Sequence, residues 1–224
     1  MKIGVIVGHG RSKAGGYDPG ACAFGYEEFK ICKDIALSCY NYLAKNFNCA
    51  PKLVNYDGSM KLQEKINLFS TGACKDYDLL LEIHMNAAKG TGTEVYYYTG
   101  DSKGRKYAQE ISKTVSGTLG IRDRGAKPST YYGIIRETKP RALLVETAFI
   151  DSNDVRTVNT AAGQKKAGEA IADAIAKVAD LKPKTDPVTG LYRVQVGAFA
   201  DKKNAEAMEK ELKSKGYSTI IKKQ

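Results

Sequence analysis

Short apolar runs alternate with longer stretches in which apolar residues recur every three or four positions. Residues 3–7 (IGVIV), 78–84 (DLLLEIH) and 142–147 (ALLVET) are nearly continuous apolar runs, as strands buried on both faces of a sheet require. Residues 52–56 and 93–98 (TEVYYY) add two more strands, the second rich in residues that favour a pleated surface. Ile31, Ile35, Cys39 and Leu43 recur every four positions and predict a helix over 27–44. Further helices are predicted over 60–70, over 102–120 with Gly120 as its stop, and over the alanine-rich 164–180. Residues 132–137 (YGIIRE) read as a short strand. The alternation predicts an α/β fold: a mostly parallel central sheet flanked by helices on both faces.

That pattern stops near Asp180. Residues 181–190 hold two prolines and a glycine without apolar periodicity, which predicts a linker between a domain over 1–180 and a tail over 191–224. The tail reads as strand, helix, strand, a small α+β module. Too short to bury a core of its own, it is expected to pack on something or to form a homodimer.

Composition changes this picture little. The 42% hydrophobic and 27% charged fractions of the 224 residues are those of a globular protein. No apolar run is long enough for membrane insertion, and no signal peptide is recognisable at the start, so a cytoplasmic location is expected in the producing cell. The five cysteines form no CxxC pair and read as small apolar residues of a reduced interior. The net charge of +10 favours a polyanionic partner, whether nucleic acid, an anionic lipid surface or an acidic wall polymer. No recognised nucleic-acid motif accompanies it.

The chain has only two histidines, and both fall at predicted strand ends: His9 after the first strand, His84 closing the third. Glu146 lies at the end of the apolar run over 142–147. Open parallel sheets bind ligands outside the carboxyl ends of their strands, so these three side chains share one rim. Two imidazoles and a carboxylate suit Zn²⁺ with an open coordination position. Asp18, Glu27, Glu28, Glu82 and Glu94 are candidates for a third ligand. Glu82, two residues before His84, lies too deep along its strand, whereas Glu27 and Glu28 open the first helix, whose N-terminus faces the strand ends. Spacing does not separate these two. GHGRSK matches neither dinucleotide nor phosphate-loop fingerprints, and no GxSxG is present.

GHG at 8–10, an acidic residue heading a helix, EIHMNA at 82–87 and RALLVETAFIDSNDV at 141–155 together resemble zinc-dependent N-acetylmuramoyl-L-alanine amidases of the Amidase_3 type. The resemblance spans about residues 2–178. It implies His9, Glu28 and His84 as metal ligands and Glu146 as catalytic acid and base. Glu28 is preferred over Glu27 because the family glutamate precedes a helical stretch ending in an apolar–Ala pair, here Ile35-Ala36. The segment RSKAGGY before Asp18-Pro19-Gly20 departs from the more direct turn of relatives. Asn86 and Lys127 lie in segments that could orient substrate. The tail resembles the first half of a SPOR peptidoglycan-binding module.

The resemblance implies hydrolysis of the amide between N-acetylmuramic acid and the L-alanine of the stem peptide in bacterial peptidoglycan. Without an export signal, a phage or prophage endolysin acting on the wall after release is expected. The alternatives are a zinc carboxypeptidase-like enzyme cutting within the stem peptide and a cell-wall-binding protein without turnover.

Overall fold

The computed structural model describes residues 1–184 and 194–222. It divides into two compact units, Met1–Lys184 and Thr185–Gln224. In the first, a six-stranded sheet is built from β1 (Lys2–Val7), β2 (Ala50–Val54), β3 (Leu79–Asn86), β4 (Thr93–Tyr98), β5 (Asp123–Ser129) and β6 (Arg141–Phe149). Their order across the sheet is β2-β1-β3-β6-β4-β5. The first four strands in that order run parallel, β4 runs antiparallel to β6, and β5 runs parallel to β4. The rim at the carboxyl ends of β1, β3 and β6 therefore also receives the starts of β4 and β5.

Strand alternation sends side chains to two unequal layers. Ile3, Val5, Leu79, Leu81, Ile83, Leu143, Val145 and Val95 belong to the larger cluster, which includes buried residues of α1 (Glu28–Asn46), α3 (Ser102–Leu119) and α6 (Ala161–Val178). Ile6, Leu80, Ala142 and Leu144 belong to a smaller cluster with Ile66 and Phe69 of α2 (Leu62–Ser70) and Ile134 and Ile135 of α4 (Gly133–Glu137). A short α5 (Val155–Val158) leads into α6. Helix α3 starts on Asp101, whose carboxylate accepts from the Gly104 N–H, and ends on Gly120 in the left-handed conformation (φ 67°).

Two elements differ from their sequence reading. Residues 132–137, read as a strand, form the single helical turn of α4, with the Ile135 and Arg136 N–H groups both bonded to the Tyr132 carbonyl. Ile134 and Ile135 are both buried, which a strand's alternation does not allow on a surface-facing segment. Strand β5 has no apolar alternation, and it contains Gly125 and Pro128. It is an edge strand held by its pairing with β4. Within 181–190, Leu181–Lys184 belong to the first unit: the Asn48 N–H donates to the Lys182 carbonyl and the Lys184 N–H to that of Asn46.

In the second unit, α7 (Lys202–Ser214) is capped by Asp201, whose side chain accepts from the Lys203 N–H at 2.9 Å. The flanking segments read as strands form no ladder over 194–200 or 218–222, and the first of them begins in residues outside the described set.

Candidate active site

His9 follows β1 by one residue with φ 54°, a left-handed backbone that non-glycine residues rarely adopt. Asn55, just past the neighbouring strand β2, holds this turn. Its Nδ2 donates to the carbonyls of Val7 (2.9 Å) and His9 (2.8 Å). Such strain persists where surrounding bonds over-determine it. Gly8 has a different task from the one its flexibility suggests. A Cβ there would lie 2.4 Å from Cε1 of His84, so the missing side chain is the space that the second imidazole fills. Gly20 does the same between His9 and Glu28, where a Cβ would lie 2.6 Å from Glu28 Oε2.

The two glutamates at the head of α1 point in different directions. Glu28 is buried and turns inward. Its Oε1 lies 2.9 Å from His84 Nδ1, and its Oε2 lies 3.2 Å from His9 Nε2. The N–H groups of Ala21 and Met85 donate to the same two oxygens. Glu27 turns outward to the Tyr17 hydroxyl and Lys30. His9, Glu28 and His84 present donor atoms that all lie within 4.8 Å of one another.

The other candidate carboxylates stand behind this trio. Asp18 accepts at 3.0 Å on the far nitrogen of His9, Nδ1. Glu82 stands 3.4 Å from His84 Nε2, outside hydrogen-bond geometry, and is itself buried in an ion pair with Lys65 (2.6 Å). Each imidazole thus faces Glu28 with one nitrogen and a second carboxylate with the other, the arrangement that orients histidine ligands of metals. Sequence reading missed Lys65, which looks like a surface charge on a helix. It also missed Asn55.

Burial opposes a charge on either histidine, yet the carboxylates around them outweigh it: His84 is pushed up to about 10 and His9 is raised. Burial likewise opposes the carboxylate of Glu28, but the two histidines hold it well below its usual range. Glu82, buried against Lys65 and His84, is lowered to about 2.

Glu146 pairs with His84 across β3 and β6, on the same sheet face. It is buried, and among the described residues its Oε2 has no hydrogen-bond partner. Burial pushes its pKa up to about 7, with Glu28 and Glu94 adding to the rise and His84 opposing it. Glu94 lies opposite Glu146 on β4. It accepts from Asn86 Nδ2 (2.7 Å), the Tyr96 hydroxyl (2.9 Å) and Arg124 Nε (2.6 Å). Asn86 lines the same cleft of about 510 Å³ as His9, Glu28, His84 and Glu146. Lys127, on edge strand β5 opposite Tyr96, does not line it.

The family model for N-acetylmuramoyl-L-alanine amidase matches residues 3–177, and a SPOR domain model matches 163–224. The start of the second match is α6, which packs on α1 and α3 of the first unit. The chain is 29% identical over 225 residues to the N-acetylmuramoyl-L-alanine amidase CwlM of Bacillus licheniformis, covering 99% of this chain and 84% of that protein. It is 29% identical over 180 residues to an endolysin of Bacillus phage SPP1, covering 76% and 65% respectively. Among solved structures, the catalytic domain of the amidase CwlV from Bacillus (Paenibacillus) polymyxa var. colistinus superposes with a TM-score of 0.70 at 25% identity. That match covers 81% of this chain and 100% of the other. With a rim of histidines and carboxylates built on the same sheet, this chain belongs to the N-acetylmuramoyl-L-alanine amidases, enzymes that hydrolyse the peptidoglycan of the cell wall.

Proposed function

We propose that the chain cleaves the amide between N-acetylmuramic acid and the stem-peptide L-alanine with a zinc ion held by His9, Glu28 and His84, and with Glu146 as acid and base. The observation that carries this reading is the convergence of three donor atoms within 4.8 Å, beside a buried carboxylate on the next strand. The residues fit a divalent metal on two counts. Glu146 Oε2, on the strand beside the trio, is buried without a hydrogen-bond partner among the described residues, and such an orphan calls for an explanation. The donor set is also anionic enough to raise both histidines, so that protons stand where a cation is wanted. Bound there, zinc supplies Lewis acidity toward the scissile carbonyl and the attacking water.

The chain's own groups do the rest. Asp18 holds the His9 ring through Nδ1, and Glu28 holds the His84 ring through its Nδ1. Glu146, whose pKa lies near the working pH, takes a proton from the attacking water and returns it to the departing alanine nitrogen. Asn86, pinned by Glu94, forms the wall against which the substrate is laid. Lys127 lies outside the cleft lining and is given no role in this proposal. The SPP1 relative supports a lytic, endolysin-like role, with the tail module adding affinity for the wall. Digestion of purified peptidoglycan with and without a chelator, followed by mass analysis, tests the reading. New alanine amino termini must appear, stems must keep their length, and chelation must abolish both. Shortened stems support the carboxypeptidase alternative instead.

A further inference from the structure

Between His9 and Asp18 the chain makes a small hairpin in which Arg11 pairs with Tyr17. Arg11 lines the same cleft as the histidines and Glu146. Its Nε donates to the Gly15 carbonyl and its Nη1 to the Ser59 carbonyl, each at 3.3 Å. Both acceptors are neutral, and among the described residues no carboxylate lies within ion-pair distance. Three other arginines of this unit are neutralised, Arg124 by Glu94, Arg136 by Glu137 and Arg141 by Asp101, whereas Arg105, Arg122 and Arg156 share with Arg11 the lack of an ion pair among the described residues but do not line the cleft. Arg11 is thus oriented by backbone while keeping its full charge, with the Nη2 end of its fork free. Lys61 adds a second cation to this lip: Lys61 Nζ lies 3.8 Å, and Arg11 Nη2 3.9 Å, from where a Gly15 Cβ would stand.

The cleft is therefore polarised, with carboxylates at its floor and an uncompensated guanidinium at its lip. We propose that Arg11 sets substrate specificity by binding the free α-carboxylate of the stem-peptide residue that follows the alanine. This rests on the amidase reading of the site. The scissile amide must reach the floor, and the first carboxylate of the stem lies one residue beyond it. A planar fork held from behind accepts such a group end-on in two parallel hydrogen bonds. Lysine at this position offers only a point charge.

The test uses the zinc-loaded full chain and two synthetic muramoyl tripeptides, one with that α-carboxylate free and one with it amidated. Wild type is expected to favour the free acid in kcat/KM by about tenfold to a hundredfold, as charge-assisted bonds provide. Arg11→Gln brings the ratio toward one, chiefly through KM for the acid, and Arg11→Lys recovers part of it. Equal kcat/KM for both substrates in wild type, or an unchanged ratio in Arg11→Gln, overturns the proposal. Calorimetric binding of the two tripeptides to Glu146→Gln, with and without Arg11→Gln, reads the same preference without turnover. If wild type cuts neither substrate at the muramoyl–alanine bond, the amidase reading falls, and this binding ratio still decides Arg11.

Discussion

Replacing Glu146 by Gln separates what this residue does for catalysis from what it costs the fold. The amide keeps the shape of the side chain but neither ionises nor carries a proton between water and amine. Loss of a positioned acid and base lowers kcat by about 10²- to 10⁴-fold. Stability should move the other way. Burial raises the Glu146 carboxyl from 4.5 to about 7. Each pKa unit is worth about 1.4 kcal/mol, so the metal-free fold disfavours the ionised form by about 3 kcal/mol.

The direction follows from proton counts. Between pH 4.5 and about 7 the unfolded chain has released this proton while the folded chain keeps it, so wild-type stability declines with rising pH across that window. Below 4.5 both states are protonated, and above about 7 the loss is complete. Gln does not titrate. Whatever constant offset the amide introduces, the mutant should therefore gain about 3 kcal/mol relative to wild type between pH 4 and pH 8.5. Urea denaturation of both proteins in chelator at those two pH values reads this as a growing separation of midpoints at constant slope. A separation that does not change with pH, or a mutant that keeps more than a tenth of wild-type kcat, refutes the assignment of a strained, buried base.

Three further outcomes test the surroundings. Gly8→Ala places a methyl group 2.4 Å from the His84 ring and should weaken zinc binding at least about tenfold by displacing that ligand, read by competition with a chromophoric chelator. Because His84 is pushed up to about 10 in the metal-free site, zinc must displace its proton at neutral pH. Affinity should then rise about tenfold per pH unit for each proton released, and calorimetry in buffers of different ionisation enthalpy counts those protons. Lys65→Met leaves Glu82 buried and unpaired and should destabilise the fold by about 3–5 kcal/mol, whereas adding Glu82→Leu restores most of the loss.

The rim was legible because a parallel sheet imposes its own grammar: near-continuous apolar runs lead to the edge where ligands bind, with His9 two residues past β1, and His84 and Glu146 two and three residues before the ends of β3 and β6. The choice between Glu27 and Glu28 was not legible from spacing. Adjacent residues at a helix start differ in direction by about 100°, and only the packing of Ala21 and Met85 N–H groups on one carboxylate shows which turns inward. Lys65 shows the same limit. On α2 it reads as a solvated charge, and it becomes an interior cation only because Glu82 comes up beneath it from β3. Strand β5 escaped notice because its conformation comes from the partner strand β4 rather than from its own residues.

Four buried carboxylates crowd this rim, and they differ in what engages them, which supports Glu146 as the proposed acid and base. Glu28 takes two backbone N–H groups and faces both imidazoles. Glu82 has Lys65, and Glu94 has Arg124, Asn86 and Tyr96. Each has its oxygens engaged by donors that an incoming proton would have to displace. The reversal of β4 beside β6 brings Glu94 directly opposite Glu146, and Asn86, Tyr96 and Arg124 all donate to Glu94. Glu146 is left with an unpartnered oxygen and, from burial first, a pKa near neutrality. A carboxylate already committed to cations cannot exchange a proton at pH 7. Glu146, buried beside His84 and opposite a carboxylate whose donors are already engaged, is the one proposed to exchange it.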